Sequence, residues 1–424
     1  MITSRKIQDL FRNPSSEHTL WLCTGLFLLA LFVRILFGLF IVEVDRPMTG
    51  DEGGFHWRAM QLLEGNWGER AHRAPFTGIV MSIAYRLFGG EVVIGRWTLV
   101  TMSSFGAPLL FLLARNVSRS AAIGLVCSLY WVLYPPSIFY STLLYTETLS
   151  AILLILSLTT YWYAAKRKNI VIATVTGLVW GCLVLNRATF LLMPVAFVLF
   201  SLFFRSSLSA ETKLLVRQWV FVVLGFTVAL TPWTIHTYHL YDTFMPHNTR
   251  GGWALLMSNG NLDDPMVKEG GYSREPEYAF DHINPRPNAF ELDNLQRKMA
   301  IRLIGSHLKN RPLDYLNVVI KRVRNFWSWR PDPYDSKWTR NDWIMLIFWA
   351  PVLVATVFSP GLWEWRKSWP VIVVIGYLFA ISLPFWGTPR FRYPVDPLMV
   401  VLASWSMVYW AKRLLTSRRR GFYG

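Results

Sequence analysis

Two adjacent carboxylates follow the first long apolar segment, in the sequence Thr-Gly-Asp-Glu at 49–52. Asp51 would lie in the first turn of a helix, where the helix dipole favours its ionised form, and an ionised carboxylate can act as a general base. Thr49 and Glu52 have capping-box spacing, so Glu52 could simply close the helix start. Adjacent side chains on a helix point about 100° apart. We therefore predict Asp51 as the catalytic base and Glu52 as an acceptor-positioning or supporting residue; the alternative is that both are ordinary helix-start acids.

Two further residues could assist this chemistry. Glu147, in Tyr-Thr-Glu-Thr, stands where one apolar segment is about to begin, and could position an acceptor, bind a metal or belong to a helix start. His72 could ligate a divalent metal, but a lone histidine is more often a surface residue. No cofactor is demanded by these residues, and a divalent metal stays an open alternative.

Positive charge for a leaving phosphate could come from three places. Arg73 precedes Ala74-Pro75, and a guanidinium offers a fork of donors that suits phosphate oxygens. Arg390 and Arg392 lie in a short proline-containing loop, and Lys321 and Arg324 belong to a helix that begins near Pro312. We predict these five residues as the phosphate-binding set. The alternative is that such side chains extend to lipid headgroups.

Long apolar segments must position these side chains. The hydrophobic fraction is 53%, and the 21 Trp suit the two membrane–water interfaces. A crossing helix needs about 20 apolar residues. We predict an all-α polytopic bundle, a single domain over 1–424, with about ten spans near 20–42, 95–114, 120–139, 148–165, 170–186, 188–204, 218–237, 343–358, 370–385 and 397–411.

Basic residues decide the orientation of the spans, because cytoplasmic loops collect Lys and Arg. An N-terminus in the cytoplasm, with Arg5, Lys6 and Arg12, puts every short basic loop on the same side and the C-terminus there too. This accounts for most of the net charge of +17. We expect membrane lipids as partners and no nucleic acid. The chain would lie in a bacterial inner membrane, and it shows no cleavable signal pattern.

Two larger loops remain on the outer side, at 43–94 and 238–342, and both carry helical patterns. In the first, Phe55, Ala59, Leu62 and Leu63 form an apolar face suited to the membrane surface, and 77–88 reads as a second helix. The second loop has an apolar stripe formed by Leu316, Val319, Ile320 and Val323. Asn186-Arg187 would be functional if it lay inside the membrane; the charge pattern favours an outside turn.

The order of these motifs resembles the GT-C superfamily of polyprenyl-phosphate-sugar-dependent glycosyltransferases, in the branch of the protein O-mannosyltransferases and the lipid A aminoarabinose transferase. Each motif is weak alone, but together they span nearly the whole chain. They are Gly50-Asp51-Glu52, His72-Arg73-Ala74-Pro75, Gly95-Arg96, Tyr145-Thr146-Glu147, Asn186-Arg187, Thr231-Pro232-Trp233, Thr249-Arg250-Gly251-Gly252, Asn259-Gly260-Asn261 and Arg390-Phe391-Arg392-Tyr393-Pro394.

The resemblance implies an active site in an outer cavity, with Asp51 as base and Arg73 on the donor phosphate. It also implies a polyprenyl-phosphate-linked sugar donor, such as an undecaprenyl-phosphate sugar, and a glycan, lipid or protein acceptor. The chain departs from the family at Ala74, where a second proline is common, and at His72, which replaces an acidic residue of some relatives. Two rivals remain open: a transporter or flippase of a lipid-linked or anionic solute, and a non-catalytic assembly protein.

Overall fold

A computed structural model describes residues 16–68, 71–280, 287–335 and 337–420, and these residues form helices and loops with no strand. Helices appear at all ten segments that the hydropathy pattern predicts. Arg5, Lys6 and Arg12, on which part of the orientation rests, lie outside the described residues.

Six helical segments among the described residues are long and apolar enough to cross a membrane. The chain is therefore a multi-pass membrane protein. Three of the six are continuous runs of shorter helices, as the individual bounds show. The helices concerned are α1 (Ser16–Phe40), α4 and α5 (Val92–Ser104 and Gly106–Ser118), α8 (Thr146–Arg167), α11 (Ala210–Tyr241), α16 and α17 (Arg340–Val357 and Pro360–Trp363), and α19 and α20 (Pro389–Arg392 and Asp396–Arg420).

The remaining predicted spans are shorter or broken. Helices α6 (Ala121–Leu133) and α7 (Pro135–Ser141) meet at a bend of 55° and make a seventh crossing if they are taken together. Helices α9 (Ile170–Asn186) and α10 (Met193–Phe203) are apolar but short, and α18 (Trp365–Ser382) does not reach the same hydropathy over a full span. Among the described residues, the predicted spans, about ten in number, thus correspond to six full crossings, the bent pair α6–α7, and the helices α9, α10 and α18.

The two large loops contain the other helices. These are α2 (Glu52–Leu63) and α3 (Phe76–Phe88) in the first loop, and α12 (Gly251–Asn259), α13 (Pro265–Lys268), α14 (Ala289–Asn310) and α15 (Pro312–Phe326) in the second. In α2, Phe55 and Ala59 are buried and Leu62 and Leu63 are half-buried. This face therefore packs on α3 and the bundle, which corrects the expectation that it lies on the membrane surface.

Helix α15 begins at Pro312, as predicted. The apolar stripe of Leu316, Val319, Ile320 and Val323 is only partly buried, and Leu316 and Ile320 are more than half exposed. The buried face instead carries Tyr315, Val318 and Arg322. Arg322 is satisfied there by oxygens of α12 and of the loop after α18, which explains why a cation occupies the inner side.

Glycines let α9 and α11 approach closely, and this contact fixes the end of α9 that carries Asn186. A Cβ on Gly177 would overlap the carbonyl oxygen of Val222, and one on Gly225 would overlap that of Thr174. The ends of α1 and α9 and the starts of α8 and α20, which the charge pattern assigns to one side, meet in a single region. The candidate site lies there.

Candidate active site

Glu52 anchors the loop that leads into α2. Its carboxylate is fully buried and accepts two hydrogen bonds from Arg96, each 3.0 Å long, and one from Arg46 of 2.9 Å. The backbone N–H groups of Thr49 and Leu144 also donate to it. Burial opposes ionisation, but these bonds outweigh it and lower the pKa of Glu52 to about 2. Glu52 therefore supports the site by holding this loop in place.

Asp51 points the other way, into a cavity. Its side chain is 36% exposed and forms ion pairs with Arg390, at 3.0 Å, and with Arg73, at 3.2 Å. Burial raises the pKa of this carboxyl, yet Arg390 and Arg73 together hold the pKa below its ordinary value. Because 49–52 and 387–394 share an ion pair, they lie on the same side of the membrane. The predicted meeting of Asp51 with Arg73 and Arg390 is thus present in the structure.

Helix α2 also provides the surface on which Arg73 packs. The guanidinium lies 4.4 Å from the centre of the Phe55 ring, and its Nη2 would be only 2.5 Å from a Cβ placed on Gly54. The absence of a side chain at Gly54 therefore lets Arg73 lie flat against α2 beside Asp51.

Arg390 continues the network to a second carboxylate. Its Nε lies 2.5 Å from Oε1 of Glu147, which is fully buried at the start of α8. Nη1 of Arg187 is 3.5 Å from the same oxygen. Asp51 and Glu147 carry two negative charges and the three arginines carry three positive ones, so the network has a net charge of plus one. Such a cluster can exchange one of its carboxylate contacts for an incoming anion.

Asn186 fixes the end of α9 from which Arg187 projects. It is buried, accepts a 2.6 Å hydrogen bond from Thr77 of α3, and donates to the Thr146 carbonyl and the Ser150 hydroxyl of α8, both at 2.9 Å. Three helices are therefore tied together directly beside the network.

The cavity that Asp51 lines has a charged side and an apolar side, and we call it the catalytic cavity because Asp51 is the predicted base. Asp51, Arg73, Arg187 and Arg250 line the first. The apolar side consists of Phe55, Leu378, Ile381, Phe385 and Phe391. Arg187 and Arg250 were not predicted as site residues, although both stand in motifs that carry the resemblance. The arrangement can hold an anion beside an ionised carboxylate, with an apolar chain along the opposite wall.

Of the five predicted phosphate-binding residues, Arg73 lines this cavity and Arg390 contacts Asp51, which lines it; the other three pair with groups elsewhere. Lys321 and Arg324 form ion pairs with Glu269, at 2.7 and 3.5 Å. Arg392 is buried, pairs with Asp396 at 2.8 Å and donates to two backbone carbonyls. These groups already have partners within the chain, so they stabilise the loops and α20. Arg73 and Arg390 are the two members of the predicted set that contact Asp51, and phosphate binding by any of the five stays a prediction.

His72 lines the catalytic cavity, with its Nδ1 3.3 Å from the hydroxyl of Thr249. Within the described part of the chain, no three His, Cys, Asp or Glu side chains come together as a metal site. His72 is therefore not part of such a three-residue group among the described residues.

No protein-family model matches the sequence, and no curated protein matches it at a significant level. Among solved structures, the chain resembles the oligosaccharyltransferase AglB of Archaeoglobus fulgidus in complex with an inhibitory peptide and a dolichol-phosphate, at 14% identity and a TM-score of 0.59 over 95% of this chain and 52% of that one. The apo form of the Archaeoglobus fulgidus enzyme gives 13% and 0.59, over 94% and 52%. ArnT from Cupriavidus metallidurans bound to undecaprenyl phosphate gives 14% and 0.42, over 93% and 78%.

The present chain spans about half the length of the oligosaccharyltransferases it matches. At these identities the likeness establishes the fold. It confirms the GT-C-like helical fold expected from the sequence.

Proposed function

We propose that this chain transfers a sugar from a polyprenyl-phosphate carrier to an acceptor at the outer face of a bacterial inner membrane. The observation that carries the proposal is the position of Asp51, an ionised carboxylate held between Arg73 and Arg390 at the edge of the catalytic cavity. The shared fold supports it, since the matched chains include one complexed with a dolichol-phosphate.

In the proposed reaction, an acceptor hydroxyl or amine attacks the anomeric carbon of the bound sugar. The new bond forms as the bond between that carbon and the phosphate oxygen breaks, and the electron pair leaves with the lipid phosphate. Asp51 takes the acceptor's proton. A single displacement of this kind inverts the anomeric centre. The phosphate is a stable anion and needs no acid to protonate it, so one carboxylate is sufficient.

The arginines would stabilise the charge that develops on the leaving phosphate. Arg73, Arg187 and Arg250 line the cavity, and Arg390 contacts Asp51 from the side of Glu147. Because they are held in place before reaction, little reorganisation is required. A phosphate that draws Arg73 or Arg390 away from Asp51 as it binds, before the reaction, would remove one of the two cations that lower the pKa of Asp51. Donor binding would thereby make Asp51 a stronger base.

The apolar wall gives the carrier a place to lie. Leu378 and Ile381 belong to α18, and Phe385 follows it. The polyprenyl chain would run along this wall toward the lipid while its phosphate faces the arginines. The orientation follows the positive-inside pattern, with both termini cytoplasmic and the cavity outside.

The decisive experiment compares Asp51→Asn with Asp45→Asn, an exposed acid of the same loop. Purified protein is incubated with a panel of synthetic undecaprenyl-phosphate sugars and with lipid and glycan acceptors. We expect the Asp51 variant to lose about 10²- to 10⁴-fold in rate, as for loss of a general base, with donor binding retained and the Asp45 variant unaffected. Transfer within threefold of wild type in the Asp51 variant would remove it as the base. Solute movement in vesicles without any transfer would favour the transporter instead.

A further inference from the structure

A second cavity adjoins the catalytic cavity on the other side of Arg73. It is lined by Gly54, Arg58 and Gln61 of α2 and by Asn66 of the loop that follows, and it shares Arg73 with the first cavity. Among the described residues that line it there is no carboxylate. Its charged groups are therefore positive. We call it the basic cavity.

Arg58 is the unusual residue of the basic cavity. It is only 4% exposed, and its Nε and Nη2 have no hydrogen-bond partner among the described residues. Its Nη1 has one long contact of 3.5 Å, to Gln61, and the guanidinium lies 5.7 Å from the Trp233 ring. Within the described part of the chain, no carboxylate forms an ion pair with it. A buried guanidinium without a counter-charge is unfavourable, and arginine is well suited to bind phosphate or carboxylate through two parallel bonds.

The position of Arg58 relates it to the proposed reaction. Asp51, Gly54, Arg58 and Gln61 occur at i, i+3, i+7 and i+10, so they lie along one face of α2. Seven residues separate Asp51 from Arg58, which corresponds to about 10 Å along the helix at 1.5 Å per residue. A molecule that places a hydroxyl beside Asp51 can therefore place a second group beside Arg58.

We infer that the basic cavity binds an anionic group, a phosphate or a carboxylate, of the acceptor, with Arg58 as its principal ligand. The inference rests on the proposed function and narrows it to acceptors that carry negative charge. The anionic group lies about 10 Å from the base, so it is a recognition element and a different group is the nucleophile. Arg73 separates the two anion positions and lines both cavities.

Inorganic phosphate is the first probe, and thermal unfolding of the full-length protein in detergent is the first measurement. Sodium phosphate is compared with sodium chloride at equal ionic strength. We expect phosphate to raise the Tm of the wild type and to raise it clearly less in Arg58→Met, in which only the arginines of the catalytic cavity remain to bind phosphate. Arg86→Gln serves as the matched control, since Arg86 is exposed on α3 and lines neither cavity. It should respond as the wild type does, and an equal loss of response in both variants would overturn the proposal.

Arg58→Met also distinguishes a binding role from a structural one. If the guanidinium lacks a counter-charge, its replacement by an apolar side chain should raise the Tm in the absence of phosphate. A large fall in Tm would show that Arg58 is neutralised within the chain, and would overturn the proposal. Glu69 directly follows Gly68 in the sequence and lies outside the described residues. Equal destabilisation by Glu69→Gln and Arg58→Met would identify it as the internal partner.

Two further experiments complete the test. One identifies the source of the anion, and the other distinguishes failure of this inference from failure of the proposed function. A phosphate response of the wild type that disappears in phosphatidylglycerol nanodiscs but not in phosphatidylcholine nanodiscs would assign the cavity to a lipid headgroup, against the proposal. With an anionic acceptor, Arg58→Met should raise the acceptor KM about 10- to 100-fold with kcat nearly unchanged. In the Asp51→Asn background, Arg58→Met should still reduce the phosphate response by as much as it does in the wild type, so failure of the transfer reaction alone would leave Arg58 as an anion ligand.

Discussion

Replacement of Glu52 by Gln tests whether this residue holds the loop or contacts a substrate. The change removes the only carboxylate that pairs with the fully buried Arg96 among the described residues. Arg96 would keep its bonds to the carbonyls of Val44 and Arg46, at 2.8 and 2.6 Å, but its charge would be uncompensated. Loss of one partner of a buried ion pair costs about 3–5 kcal/mol. We therefore expect Glu52→Gln to lower the free energy of unfolding by roughly this amount.

The pH dependence of this effect has a defined sign. The pKa of Glu52 is lowered to about 2 in the folded protein, against about 4.3 for an unperturbed glutamate. Its stabilisation is therefore present in full above about 4.3 and is lost as the pH falls toward 2. The stability difference between wild type and Glu52→Gln should shrink over that window.

The assay is unfolding of the purified protein in detergent, followed by tryptophan fluorescence, with transfer activity measured well below the Tm. Asp45→Asn is the control for loss of one acidic charge. A double variant, Glu52→Leu with Arg96→Met, should be less destabilised than Glu52→Gln because no buried charge remains. Reduced transfer with an unchanged unfolding curve would refute the reasoning, because it would mean that Glu52 contacts the acceptor.

Three other changes probe the network around Asp51. Arg73→Gln removes one of the two cations that lower the pKa of Asp51. In the pH profile of the remaining kcat/KM, the fall in rate on the acid side should therefore begin at a higher pH than in the wild type. An unchanged profile would contradict the assignment of Asp51 as the base. Gly54→Ala should displace Arg73 and reduce the rate of transfer about 10- to 100-fold. Gly53 has open space around it, so Gly53→Ala should keep the transfer activity and unfold at a slightly higher temperature. Glu147→Gln leaves its arginine partners short of negative charge, so it should destabilise the protein by about 3–5 kcal/mol. It should also lower the donor KM, because the arginines then attract the phosphate more strongly; a stable variant with normal kinetics would show that the pairing is dispensable.

The helices were predictable because their signals are local. Pro312 at the first turn of α15 and the apolar run of α8 need no knowledge of the rest of the chain. Which face of a helix is buried depends on its neighbours, and the apolar stripe of α15 alone did not determine it. Its stripe of Leu316 and Ile320 is open because the neighbouring loops offer oxygens that suit Arg322 instead.

The roles of charged residues were less predictable, since they depend on which distant groups fold beside them. Asp51 and Glu52 look alike in sequence, and only the positions of Arg96 and Arg390 give them different tasks. The same holds for Arg390 and Arg392, two residues apart. Arg390 forms ion pairs with Asp51 and Glu147, whereas Arg392 binds Asp396 and backbone carbonyls. No local pattern separates the members of either pair.

Arg187 is a different case, because a signal for it was present. Asn186-Arg187 interrupts an apolar stretch, and polar residues in such surroundings are costly unless they are paired or functional. An outside turn avoids that cost only if the turn is exposed to water. The structure shows Asn186 buried among three helices and Arg187 directed into the catalytic cavity. A turn on the outer side of the membrane can thus still direct Arg187 into the catalytic cavity. The positive-inside pattern places a residue on one side of the membrane, but burial decides whether that residue can take part in chemistry.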